Sequence, residues 1–196
     1  MTYTADSPLF GTPKASVDQC ARFMSSRAHG EYTEHDLRNV LVPAYYRVCG
    51  EVGLDSTLVI SQLIHETGNL SSWWSQRPRR NPAGIGVTGQ KQPAKPAAGA
   101  WVWNDQTQLW HEGVAFPAWD NDAIPAHIGR LMAYAMRDDQ ASTPQRELIA
   151  RALSYRPLRR YRGEAPTLRG LNGRWAVPGT TYADRLSHTA NAIAAT

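Results

Sequence analysis

Apolar residues recur at helical spacing in six stretches of this chain and alternate with other residues in one. Val17, Cys20, Ala21, Phe23 and Met24 define a first helix that begins near Ser16 and is closed by Gly30. Leu37, Val40, Leu41, Tyr45, Val48 and Val52 define a second, capped by Thr33 and ending near Gly53, with Pro43 inside it predicting a kink or a late start. Leu58, Val59, Ile60, Leu63 and Ile64 give the third, with Asp55 or Ser56 placed to cap its first amides and Gly68 at its end. Ile124, Ile128, Leu131, Met132 and Ala135 line a fourth, capped by Asp120 or Asn121 and tolerating Pro125 in its first turn. A fifth, Gln145 to Leu153, follows Pro144, and Tyr182, Leu186, Thr189, Ala190 and Ile193 place the last segment on a sixth. Short turns join the first three, which predicts an antiparallel pack with the third at its centre.

The alternating stretch runs from Trp101 to Phe116. Trp101 and Trp103 flank Val102, a polar turn follows from Asn104 to Gln108, and Leu109, Trp110, Val114 and Phe116 return, which reads as a β-hairpin. Residues 77–100 dissolve into Pro, Gly, Ala and Lys and read as a loop. The first 14 residues are polar and contain Pro8 and Pro13, so they are expected to form an arm that lies on the rest or is disordered. The expected organisation is that arm, 1–14, followed by a single, mainly α domain, 15–196, with a small β-hairpin lobe.

With 196 residues and 42% hydrophobic content, the chain can bury one core. No apolar run is long enough to span a bilayer, so no membrane insertion is expected, and the start MTYTADSPLFGTPK lacks the layout of a signal peptide. Basic residues outnumber acidic ones by 21 to 17, with Arg77, Arg79 and Arg80 in one cluster and Arg156, Arg159, Arg160 and Arg162 in another. Either cluster suits an anionic partner or a solvated loop, and no nucleic-acid-binding signature accompanies them. Cys20 and Cys49 are too few for a disulfide scaffold, and read as two buried thiols or a single bridge. None of the six histidines forms a ligand pair such as HExxH, so neither a metal nor another cofactor is expected; no GxSxG or supported Cys nucleophile is present either.

The candidate chemistry sits at the end of the third helix. Glu66 falls seven positions after Val59 and three after Leu63, on the edge of the apolar stripe. A carboxylate there is partly desolvated, which raises its pKa and suits a general acid, although an ordinary paired Glu near a helix end would read the same way.

The residues that follow carry a resemblance. Glu66, Thr67 and Gly68, then Asn81, Pro82, Ala83, Gly84, Ile85 and Gly86, resemble the catalytic block of the lysozyme-like endo-β-N-acetylglucosaminidases, glycoside hydrolase family 73. The resemblance extends over roughly 55–194, through FPAWDNDAIPAHIGRLMAYA, to Tyr182, Ala183, Asp184, Arg185 and Leu186. It implies a lysozyme-like helical fold and a peptidoglycan hydrolase that cleaves at N-acetylglucosamine, with Glu66 protonating the glycosidic oxygen. The implied partner is the peptidoglycan glycan strand, the implied place extracellular or in the cell wall, by an unseen export route or phage-type release, and the expected state a monomer. Where the family has an active-site Tyr, this chain has Trp175, so either Trp175 stacks on the sugar or Tyr182 supplies the hydroxyl; Tyr182 also fits a core position.

A glycosidase usually needs a second carboxylate, about 5 to 9.5 Å from the first according to mechanism. The Thr-x-Glu of the family's β-lobe is missing, leaving Asp105, which is equally a turn residue, and Glu112, which is equally a solvent-facing strand residue. Failing both, the substrate's own acetamido group could attack, a lytic transglycosylase could cyclise the product, or the groove could bind without turnover. Trp73, Trp74, Trp103 and Trp175 are candidate sugar platforms, Trp73 and Trp74 fitting best, whereas one or two of Trp101, Trp103, Trp110 and Trp119 read instead as a mini-core under the lobe. Asn81, Gly84 and Ile85 are expected to shape the groove floor.

Overall fold

A computed structural model describes residues 2–196 of the chain. Its regular structure is built on seven α-helical segments and a three-stranded antiparallel sheet. No helix among the described residues is long and apolar enough to cross a membrane.

Helix α1 (Val17–Ser25) starts at a capping box in which Ser16 and Gln19 bond each other's backbone amides. The second predicted helix is one continuous rod in three parts. Thr33 caps α2 (Glu34–Asp36), a π-helical turn spans Leu37–Leu41, and α3 (Val42–Val52) ends on left-handed Gly53. Pro43 has no amide hydrogen to donate, and the wide turn lies immediately before it. That turn also alters the helical register, so Val40, expected on the inner side, is 44% exposed, while Leu37 and Leu41 are buried.

Helix α4 (Ser56–Thr67) is the central helix and packs against α1, α3 and α7. Asp55 accepts from the amides of Thr57 and Leu58, and Gly68 closes the helix at φ +57. The residues before α1 close over its start. Tyr3 donates its hydroxyl to Asp55 Oδ2 at 2.8 Å, Leu9 bonds through its backbone to Asp55 and Pro166, and both side chains are buried.

The fourth predicted helix begins earlier than its polar cap candidates suggest. A π-turn over Trp119–Ala123 leads into α5 (Ile124–Ala135), and neither Asp120 nor Asn121 caps it. Trp119 anchors this start: it is buried and gives its indole N–H to Tyr32 at 3.0 Å. Helix α6 (Thr143–Tyr155), capped by Ser142, lies across α5 so closely that a Cβ on Gly129 would sit 2.0 Å from the Leu148 carbonyl oxygen. Helix α7 (Tyr182–Ala194) follows a 3-10 turn over Leu168–Leu171.

The lobe has one more strand than the hairpin. Strands β2 (Trp101–Asn104) and β3 (Leu109–Glu112) pair with Trp103 opposite Trp110 and Trp101 opposite Glu112. Strand β1 (Lys91–Gln92) adds to the outer side of β3, inside the stretch read as loop. Two polar residues carry no alternation that would betray a strand. Cys20 and Cys49 are both free and buried.

Candidate active site

Glu66 stands in the last turn of α4, at the wall of a pocket of about 410 Å³. The opposite side comes from the turn after α4 (Ala83, Gly84, Val87), from α5 (Arg130, Tyr134), and from Arg156, Arg174 and Trp175. Two donors converge on one carboxylate oxygen. Tyr182 gives its hydroxyl to Glu66 Oε1 at 2.5 Å, and Trp175 gives its indole N–H to the same atom at 3.1 Å. Oε2 takes no bond among the described residues and is not sealed from solvent, so it is the oxygen left to the pocket.

Burial raises the Glu66 pKa above the usual carboxylate value, and the bonds from Tyr182 and Trp175 partly offset it. The negative end of the α4 dipole acts in the same direction as burial. Tyr182 itself is held well above its ordinary pKa by burial and then by the Glu66 charge, so it remains a donor.

Behind Tyr182 runs a buried chain of hydrogen bonds. Gln62, one turn before Glu66 on α4, donates Nε2 to the Tyr182 hydroxyl at 2.9 Å. His127 Nε2 lies 3.1 Å from Gln62 Oε1, and Tyr45 meets His127 Nδ1 at 3.0 Å. Because Gln62 presents its carbonyl oxygen to His127, Nε2 must carry the hydrogen and Nδ1 must accept from Tyr45. Every donor then points towards Glu66. Burial pushes the His127 pKa down to about 3, which keeps the ring neutral and this polarity fixed. Sequence reading missed Gln62 and His127, although each is a polar residue on an otherwise apolar helix face and so required a partner.

The Asn81–Gly86 turn is pinned from within. Asn81 is fully buried, donating to the carbonyls of Ile85 and Val114 at 2.8 and 2.9 Å and accepting from the Ile85 amide at 2.8 Å. The Ile85 side chain is also buried. Both side chains are turned inward and hold the turn, and Gly84 is the residue of the three that lines the pocket.

The aromatic candidates divide. Trp175 reaches Glu66 and stacks obliquely on Tyr134 at 5.2 Å. Trp73 lies under the Arg79 guanidinium, 3.9 Å from its centroid, and edge-on to Trp74. Trp74 fills the space over Gly113, where an added Cβ would meet it at 2.4 Å, so this pair packs the turn after α4 against the lobe and does not line the Glu66 pocket. Trp103 and Trp110 pair across the hairpin at 5.6 Å, on the face that also carries Trp101 and Glu112.

The carboxylates divide as well. Asp105 is exposed at the hairpin tip and accepts from the Trp103 indole at 2.9 Å, away from the Glu66 pocket. Glu112, at the base of the hairpin, accepts from the Thr88 hydroxyl and lines a second pocket, which shares Arg156 with the first. His65 lies edge-on to Tyr182 at 5.2 Å and is otherwise exposed. No cluster of His, Cys, Asp or Glu among the described residues has the arrangement of a metal site.

No family model matches this sequence, and no curated protein matches it. Among solved structures, the chain is similar to the catalytic domain of the autolysin Auto from Listeria monocytogenes, with 16% identity, a TM-score of 0.44, and coverage of 87% of this chain and 82% of that one.

Proposed function

We propose that the chain is a lysozyme-like peptidoglycan hydrolase that cleaves glycan strands at N-acetylglucosamine, with Glu66 as general acid. The observation that carries this reading is the Glu66 carboxyl itself: burial raises its pKa, two donors hold one oxygen, and the other is open to a pocket. A proton carried on Oε2 passes to the glycosidic oxygen as the bond to the anomeric carbon breaks. The negative charge left on Glu66 is then steadied by Tyr182 and Trp175, so the resting geometry already serves the product state. Residues 66–68 and 81–86, which resemble the glucosaminidase block, support the choice of glycan.

Glu112 is assigned the second role, activation of a water or attack at the anomeric carbon, because its pocket adjoins that of Glu66 at Arg156. Asp105, bonded to Trp103 at the tip, is the weaker candidate. Measuring fragment release from purified peptidoglycan tests both assignments. Glu66→Gln should lose on the order of 10²–10⁴-fold in rate while still sedimenting with the wall. Glu112→Gln should fall comparably; near-full activity would transfer its role to the substrate's acetamido group.

A further inference from the structure

The Glu66 pocket is ringed by three arginines from separate parts of the chain: Arg130 on α5, Arg156 just beyond α6, and Arg174 before α7. Arg130 is half-buried, its guanidinium about 6 Å from the Trp175 and Tyr134 rings, and it donates to the Arg156 carbonyl at 3.0 Å, which ties two of the arginines together. Among the described residues neither Arg130 nor Arg156 has a carboxylate partner, whereas Arg174 is paired through Nε with Glu164 at 3.1 Å. Two arginines of the other basic cluster are engaged internally: Arg77 pairs with Glu31 and Asp36, and Arg79 covers Trp73. Glu66 does not use the ring either, since its neighbours act on it through burial and the Tyr182 and Trp175 bonds.

Arginines that line one partly desolvated cavity, with donors free of any carboxylate, favour an anion in bidentate geometry. We infer that Arg130 and Arg156 form an anionic subsite beside Glu66, which binds a carboxylate carried on the glycan next to the scissile linkage and so selects muramyl-containing strands over neutral N-acetylglucosamine polymers. This inference rests on the glycan reading of the Glu66 site. The carboxylate has two sources: the lactyl group of a stripped muramic acid, or the acidic residues of a peptide stem that amidates it.

Calorimetric titration of the Glu66→Gln chain distinguishes them without requiring turnover. The probes are a neutral tetrasaccharide of N-acetylglucosamine, an alternating N-acetylglucosamine–N-acetylmuramic acid tetrasaccharide, and the latter bearing peptide stems. Expected is a preference of about ten-fold or more for an anionic probe, about 1.4 kcal/mol, that weakens with salt and collapses when Arg130→Gln or Arg156→Gln is added. Preference for the stripped probe identifies the lactyl group, and preference for the stem-bearing one identifies the stem. Arg156→Gln, in an exposed position, guards against misfolding of the Arg130 variant. Equal affinity for all three probes, no binding to any, or a preference that survives both substitutions would overturn the subsite. Fragment release from peptidoglycan by the unsubstituted chain, measured alongside, separates failure of the subsite from failure of the hydrolase reading.

Discussion

At the scale of single residues, the site is a carboxyl group whose proton affinity is set from two opposed directions. Burial raises the Glu66 pKa and the Tyr182 hydroxyl lowers it. Tyr182→Phe removes the lowering contribution, so the alkaline limb of the pH–rate profile should move to higher pH. The rate should fall about ten-fold or more, the scale of one hydrogen bond to a charged group. A limb that stays in place or moves down would separate Tyr182 from the acid.

His127 predicts a pH effect on stability instead of rate. Its folded pKa, about 3, lies below the ordinary value of 6.5, so the unfolded chain takes up a proton that the folded chain refuses. Stability is therefore whole above pH 6.5 and drains as pH falls towards 3, by about 1.4 kcal/mol for each unit of the difference. Urea midpoints measured across that range should fall in the parent chain and be flatter in His127→Asn. The sequence singles out Glu66 through its position on the third helix and the block that follows it. Gln62 and His127 were not legible there, because their meaning lies in a contact between helices 65 residues apart in sequence.

At the scale of elements, periodicity located the helices, and the register errors inside them share one cause. The π-turns before Pro43 and Ile124 shift register within a helix, which a fixed 100° step cannot anticipate, and they put Val40 outward and a buried Trp at the head of the turn that leads into α5. Tryptophan density in the hairpin was legible, but its division was not. Trp73 and Trp74 join the lobe to the turn after α4, while Trp101, Trp103 and Trp110 share a sheet face with Glu112. Gly113 sets that joint, since Trp74 occupies the place of its missing side chain. Gly113→Ala should therefore cost about 1–3 kcal/mol by overpacking. It should also raise KM for peptidoglycan, because the displaced lobe carries Glu112; an unchanged melting temperature would show that Trp74 yields freely.

At the scale of the whole molecule, residues from both ends of the chain meet at the central helix. Tyr3 bonds Asp55 at the start of α4 and also Asn191 on α7, the helix that delivers Tyr182 to its other end. Asp55 is buried, with its pKa raised chiefly by that burial, so it depends on its partners. Tyr3→Phe leaves one carboxylate oxygen without its donor and should destabilise the chain by about 1–3 kcal/mol at pH 7, measured by chemical denaturation. A loss within 0.5 kcal/mol, about the noise of a surface substitution, would mean that the contact is incidental. The polar composition of the first 14 residues concealed this, because only Tyr3, Ala5 and Leu9 among the described ones turn fully inward.

The central claim is that Glu66 protonates a glycosidic oxygen in peptidoglycan and that water completes the cleavage. Mass spectrometry of the soluble fragments released by the parent chain and by Glu66→Gln reads it directly. Fragments ending in reducing N-acetylglucosamine that disappear in the variant are the expected result. Anhydro-muramic ends would contradict hydrolysis and indicate a transglycosylase, and fragments released equally by both proteins would remove Glu66 from the chemistry.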